Sequence, residues 1–94
     1  MTVEELRTEL ETIVSGLSSS GFETIDQGIL DKLSKLNASA GELGMKEGKR
    51  LTENLQSVMA AIKEGKSNAS SGGIRLTALD FYVKKIAGGN IEDL

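Results

Sequence analysis

The chain contains no cysteine, no histidine and no proline, and it has only two phenylalanines and one tyrosine among its 94 residues. Without cysteine there is neither a disulfide framework nor thiolate chemistry. Because cysteine and histidine are also the usual ligands of zinc and other transition metals, we expect no metal site and no cofactor. Proline is the residue that most strongly interrupts a helix, so its absence favours an all-α fold.

Charge and hydropathy narrow the range of partners. The formal net charge of −3 disfavours nucleic acid and anionic membrane surfaces as partners. No apolar run approaches the roughly 20 residues that cross a bilayer. The first residues, Met1 to Glu5, are acidic where a signal peptide would be basic. We therefore expect a soluble, cytoplasmic protein that forms one domain over residues 1–94.

Apolar residues recur at spacings of three and four in four segments, which is the pattern of amphipathic helices. Two S/T-x-x-E/Q capping boxes, Thr2 with Glu5 and Thr24 with Gln27, indicate where the first two helices begin. Glycines indicate where helices end. The predicted helices cover residues 2–19, 23–43, 45–65 and 72–87, with a polar loop at 66–72 and a frayed tail at 88–94. Short links between such helices predict an antiparallel up-down-up-down four-helix bundle.

The second predicted helix has two different faces. Its core stripe centres on Leu33, Leu36 and Ala40. About a third of a turn away, at the border between core and solvent, lies a face without charge and with little bulk. A glycine in a helix interior costs about 1 kcal/mol relative to alanine, so a close approach by another chain segment is indicated there. That segment is either a neighbouring helix of the same bundle or a folded partner. The residues of this face are Leu30, Ser34, Asn37, Ala38 and Gly41.

The stretch from Ser34 to Met45 resembles the signature of histidine phosphotransfer (Hpt) domains, His-x-x-Lys-Gly-Ser/Ala-x-x-x-x-Gly. Ser34 occupies the position of the phosphorylated histidine, Asn37 that of the lysine and Ala38 that of the glycine. The segments Ser39-Ala40-Gly41 and Leu43-Gly44 are similar to those that often follow in the family. The resemblance implies a four-helix bundle that acts in bacterial two-component signalling. It also implies a response-regulator receiver or a histidine-kinase domain as partner.

The changed positions imply that the phosphorelay chemistry is lost. Relay transfer needs an imidazole nitrogen, whereas a serine hydroxyl is a poor nucleophile without a general base. Asn37 also lacks the charge with which a lysine would stabilise a phosphoryl group. We therefore expect a pseudo-phosphotransfer domain that is not an enzyme and that binds its partner without carrying phosphate. Its expected partner-binding residues are Leu30, Ser34, Lys35, Asn37, Ala38, Gly41 and Glu42, with Lys46 as a further rim contact.

A structural or self-associating helical bundle is the alternative interpretation. In that case the small-residue face would pack two protomers together as a homodimer, with no signalling role. The acidic residues of the first helix are most simply read as a solvated helix face. No combination of nucleophile and general base indicates catalysis.

Overall fold

The structure, a computed structural model, describes residues 1–22 and 25–89. This part of the chain forms helices and contains no strand, which confirms the all-α prediction. The four helices, numbered in chain order, are α1 (Val3–Ser20), α2 (Gln27–Glu42), α3 (Lys46–Lys63) and α4 (Ala69–Ala87).

Each helix packs against its neighbours in the chain, and α1 also packs against α4 to close the ring. Within the described residues, no Cα atoms of the diagonal pairs, α1 with α3 or α2 with α4, lie within 8 Å of each other. The links after α2 and α3 are short, at residues 43–45 and 64–68. Short links force consecutive helices to run antiparallel. The predicted up-down-up-down four-helix bundle is therefore confirmed, in a body of 36 × 21 × 18 Å.

The core is formed by apolar stripes of the four helices, and the stripe predicted for the second helix, Leu33, Leu36 and Ala40, is part of it. Burying one such leucine or isoleucine contributes about 1.5–3 kcal/mol. Truncating a fully buried leucine to alanine in this core would cost about 2–5 kcal/mol. Residues with essentially no exposed surface come from all four helices and from the link before α3: Leu6, Leu10, Leu33, Met45, Leu55, Met59 and Leu79.

The helix ends largely follow local sequence signals. At α1 the Glu5 amide donates to Thr2 Oγ1 at 3.1 Å and the Thr2 amide donates to Glu5 Oε1 at 2.9 Å, so the predicted capping box is confirmed. After α2 the chain turns at Gly44, which has a φ of 74°. Such a φ is readily accessible only to glycine. The turn lets the Met45 amide reach the Ala40 carbonyl at 2.9 Å and satisfy it.

Two helix starts differ from the prediction by more than one residue. Helix α2 begins at Gln27, because the side chain of Asp26 accepts from the Gly28 and Ile29 amides; Thr24, the predicted cap, lies outside the described residues. Helix α4 begins at Ala69, capped by the Asn68 side chain, so much of the predicted loop 66–72 is helical.

The first turn of α4 is packed against the rest of the bundle. Gly72 is buried, and a Cβ at this position would lie 3.0 Å from the Phe22 ring. Gly72, the last residue of the predicted loop, therefore belongs to a packed helix. At the other boundaries, α3 ends at Lys63, two residues before the predicted end, and residues 90–94 of the predicted tail lie outside the described part.

Candidate docking surface

The structure separates the seven predicted partner-binding residues into three environments. Leu30 is not at the border of the core as expected, because it is buried with 6% of its surface exposed. Asn37 is half-buried. The remaining residues lie at the surface of α2: Ser34, Lys35, Ala38, Gly41 and Glu42.

The buried members of the predicted set contact α3. The Gln56 side-chain amide donates to the Leu30 carbonyl at 3.3 Å. Asn37 Nδ2 lies 2.8 Å from the Lys49 carbonyl and 3.2 Å from Thr52 Oγ1. Thr52 is fully buried, and its hydroxyl lies 2.9 Å from the Gly48 carbonyl, to which it can donate. Asn37 thus joins α2 to α3 in a polar cluster that satisfies a buried hydroxyl.

Gly41 is not required by the packing of α2 on α3. A Cβ built at Gly41 would meet only the methylene stem of Lys49, at 3.5 Å from Cδ and 3.8 Å from Cε, which is ordinary contact. At Gly48 the situation is the opposite, since a Cβ there would lie 2.7 Å from the Tyr82 hydroxyl oxygen. Tight helix packing therefore explains the glycine at Gly48. No packing contact within the described part of the chain requires a glycine at Gly41. Gly16 and Gly73 are likewise open helical positions, but they lie on α1 and α4.

The exposed face of α2 has a definite chemical character. Ser34 and Ala38 are one turn apart and Gly41 follows three residues later, so the three line one side of the helix. None of them carries a charge. Lys35 and Glu42 supply one charge of each sign beside this line. A strip of small, uncharged residues with a charged rim can admit a folded partner to close range.

The electrostatics around the chain do not indicate an acid–base site. A hydrogen bond from Arg7 lowers the pKa of Glu4, and hydrogen bonds from Thr2 lower the pKa of Glu5. A hydrogen bond from Arg50 lowers the pKa of Glu47. These are exposed carboxylates stabilised in their charged form, whereas a general acid needs a raised pKa. Among the described residues no group of three or more acidic side chains could hold a metal ion.

A second surface feature, on α4, was missed by the sequence analysis. Phe81 is 73% exposed, and Ile74, seven residues earlier, is 68% exposed. Between α3 and α4, Phe81 borders an open groove whose floor includes Leu51 and Ala78. The available signal was the spacing of Ile74, Ala78 and Phe81, which places an additional apolar stripe on one side of α4.

Comparison of the chain with protein-family models, with curated proteins and with solved structures found no match. No helix in the described part of the chain has both the length and the hydropathy that a membrane crossing requires.

Proposed function

We propose that this protein is a pseudo-histidine-phosphotransfer domain that binds a receiver or histidine-kinase domain through the exposed face of α2. The observation that carries the proposal is the placement of Ser34. It lies near the middle of α2, exposed, on a four-helix bundle, where the resemblance puts the phosphorylated histidine of an Hpt domain. The partner is bound, and no phosphoryl group is transferred.

Two features of the site support binding without chemistry. The chain has no histidine to act as nucleophile or as general base for Ser34. Asn37, at the position of the family's lysine, is turned toward α3 and donates to the Lys49 carbonyl. It therefore offers neither charge nor a free amide to a phosphoryl group. Phosphate placed on Ser34 would be a stable ester and would not return to an aspartate.

The small residues support close approach of a partner. Gly41 lies in the last turn of α2, where a glycine lowers helix stability relative to alanine by less than the roughly 1 kcal/mol of a helix interior, and the packing against Lys49 does not require it. Close contact with a partner at this position would explain why the residue is glycine and not alanine. The same strip could instead meet a second copy of the chain, which is the alternative function of a self-associating bundle. Sedimentation of the isolated protein over a range of concentrations separates the two, because only self-association makes the profile concentration-dependent.

The deciding experiment is an amide-resolved NMR titration of the labelled chain with receiver domains. We expect shifts centred on Ser34, Ala38 and Gly41 that saturate. Ala38→Arg and Gly41→Arg should each weaken binding by about tenfold or more, since a bulky charged side chain would block the strip. Gly16→Arg is the matched control: it places the same side chain at an open helical glycine on α1 and should bind as the parent does.

The Ser34→His variant tests the geometry independently of affinity. If a receiver docks as proposed, the introduced imidazole faces its aspartyl phosphate and should accept the phosphoryl group, while the parent chain stays unlabelled. Equal binding by Gly41→Arg and Gly16→Arg would contradict the proposal. So would saturating shifts that avoid α2.

A further inference from the structure

The groove between α3 and α4 combines an exposed aromatic side chain with an apolar floor. Phe81 is one of only three aromatic residues in the chain, and the other two, Phe22 and Tyr82, are buried. The groove lies beside it and is lined on its apolar side by Leu51 and Ala78. Leaving a phenylalanine in water forgoes the favourable free energy of burying it, and aromatic side chains of this kind are the usual anchors of protein interfaces.

The rim of the groove carries an excess of positive charge. Arg50, Lys84 and Lys85 line it together with Glu47. Arg50 pairs with Glu47, and Lys84 pairs with Asp80 at 3.0 Å. Counting Asp80, three cations stand against two carboxylates. This local excess occurs in a chain whose formal net charge is −3, so the groove is electrostatically distinct from the protein as a whole.

We propose that this groove binds an acidic amphipathic helix of a partner protein. Apolar residues at i, i+3/i+4 and i+7 of that helix would cover Phe81, Leu51 and Ala78, which is the usual mode of helix-in-groove recognition. Carboxylates beside its apolar stripe would complement Arg50 and the two lysines.

A second copy of this chain fits the groove less well than an acidic helix does. Symmetric pairing of the face would bring Arg50, Lys84 and Lys85 of two copies toward one another, and like charges across an interface are unfavourable. The net negative charge of the chain does not assist the encounter with an acidic partner, so the attraction is local and short-ranged.

The groove is separate from the α2 strip. Within the described residues no Cα atom of α2 lies within 8 Å of a Cα atom of α4, so the two helices are diagonal neighbours in the bundle. A receiver on the Ser34 face and an acidic helix at Phe81 would therefore occupy different sides of the bundle. The inference does not depend on the proposed function: the groove can bind its helix whether or not a receiver binds α2.

The test uses the full chain and two synthetic helical peptides of about 18 residues, a length at which a helix is marginally stable alone. Both carry leucine along one face; one has glutamate on the flanks and the other has lysine at the same positions. We expect the glutamate peptide to shift the amides of Leu51, Ala78, Phe81 and Lys85. Its affinity should fall with added salt. The lysine peptide should cause no such shifts.

Substitutions locate the contact. Phe81→Ser and Lys85→Glu should each weaken the glutamate peptide about tenfold or more, and neither should unfold the protein, since both side chains are exposed. Lys63→Glu is the matched control for the charge reversal, because Lys63 is exposed on α3, lies beside Gln27 of α2 and does not line the groove. Equal binding of the two peptides, shifts confined to other helices, or a Lys63→Glu loss as large as that of Lys85→Glu would each overturn the proposal. Ala38→Arg should leave peptide binding unchanged.

Discussion

The side-chain amide of Asn37 in α2 donates a 2.8 Å hydrogen bond to the main-chain carbonyl of Lys49 in α3. The same nitrogen lies 3.2 Å from the hydroxyl of Thr52, which is fully buried. Sequence resemblance assigned Asn37 to a docking surface, whereas its contacts assign it to the joint between two helices. If Asn37 joins the two helices, a variant at this position should change the free energy of unfolding. If it belongs to a docking surface, the variant should change the affinity for the partner.

Replacing Asn37 with alanine should lower the free energy of unfolding by about 1–2 kcal/mol, because a hydrogen bond across the helix joint is lost. Urea denaturation of the parent and the variant measures the change. Ser34→Ala, one turn earlier and exposed, is the control and should leave stability unchanged or slightly raised, since alanine is the better helix former. Equal stability of the two variants would show that the Asn37 bond contributes nothing.

Alanine at two glycines should have opposite effects. Gly41→Ala should raise the free energy of unfolding by up to about 1 kcal/mol, because its Cβ makes only ordinary contact with Lys49. Gly48→Ala should lower it by about 1 kcal/mol or more, because a Cβ 2.7 Å from the Tyr82 hydroxyl oxygen forces a buried ring to move. Thermal denaturation of both variants provides the measurement. A destabilised Gly41→Ala would mean that α2 and α3 approach more closely there than the structure shows.

The free energy of unfolding should fall at acidic pH, within a narrow pH range. The pKa values of Glu4, Glu5 and Glu47 are below their ordinary value of 4.5 in the folded chain. As pH falls, the unfolded chain takes up protons first, so the stability these groups provide is complete above about pH 4.5 and is lost below it. Glu5→Gln keeps a side-chain acceptor at the α1 cap without the charge and should reduce the acid-induced loss. Denaturation at several pH values measures both chains, and a marked decline between about pH 5 and 7 would contradict this assignment, as the chain has no histidine to titrate there.

Much of this architecture could be predicted from local patterns in the sequence. The apolar spacing of the second predicted helix correctly named Leu33, Leu36 and Ala40 as core residues. A helix buries one stripe wherever its neighbours lie, so this prediction needs no knowledge of them. The Thr2 cap of α1 is equally local, since each cap joins groups only a few residues apart.

Other features depend on which helices are neighbours in the bundle, and only the tertiary structure determines them. Leu30 is buried and Asn37 is bonded because α3 covers that side of α2. The glycine-rich start of α4 is helical where Gly72 meets the Phe22 ring. The position of Phe81 beside a groove with a basic rim required the crossing of α3 and α4. The sequence alone determined the helices and most of their buried stripes, because these follow from contacts within a few turns. The assignment of surface residues to joints, strips and grooves depends on contacts between residues far apart in the chain, and only packing determines those.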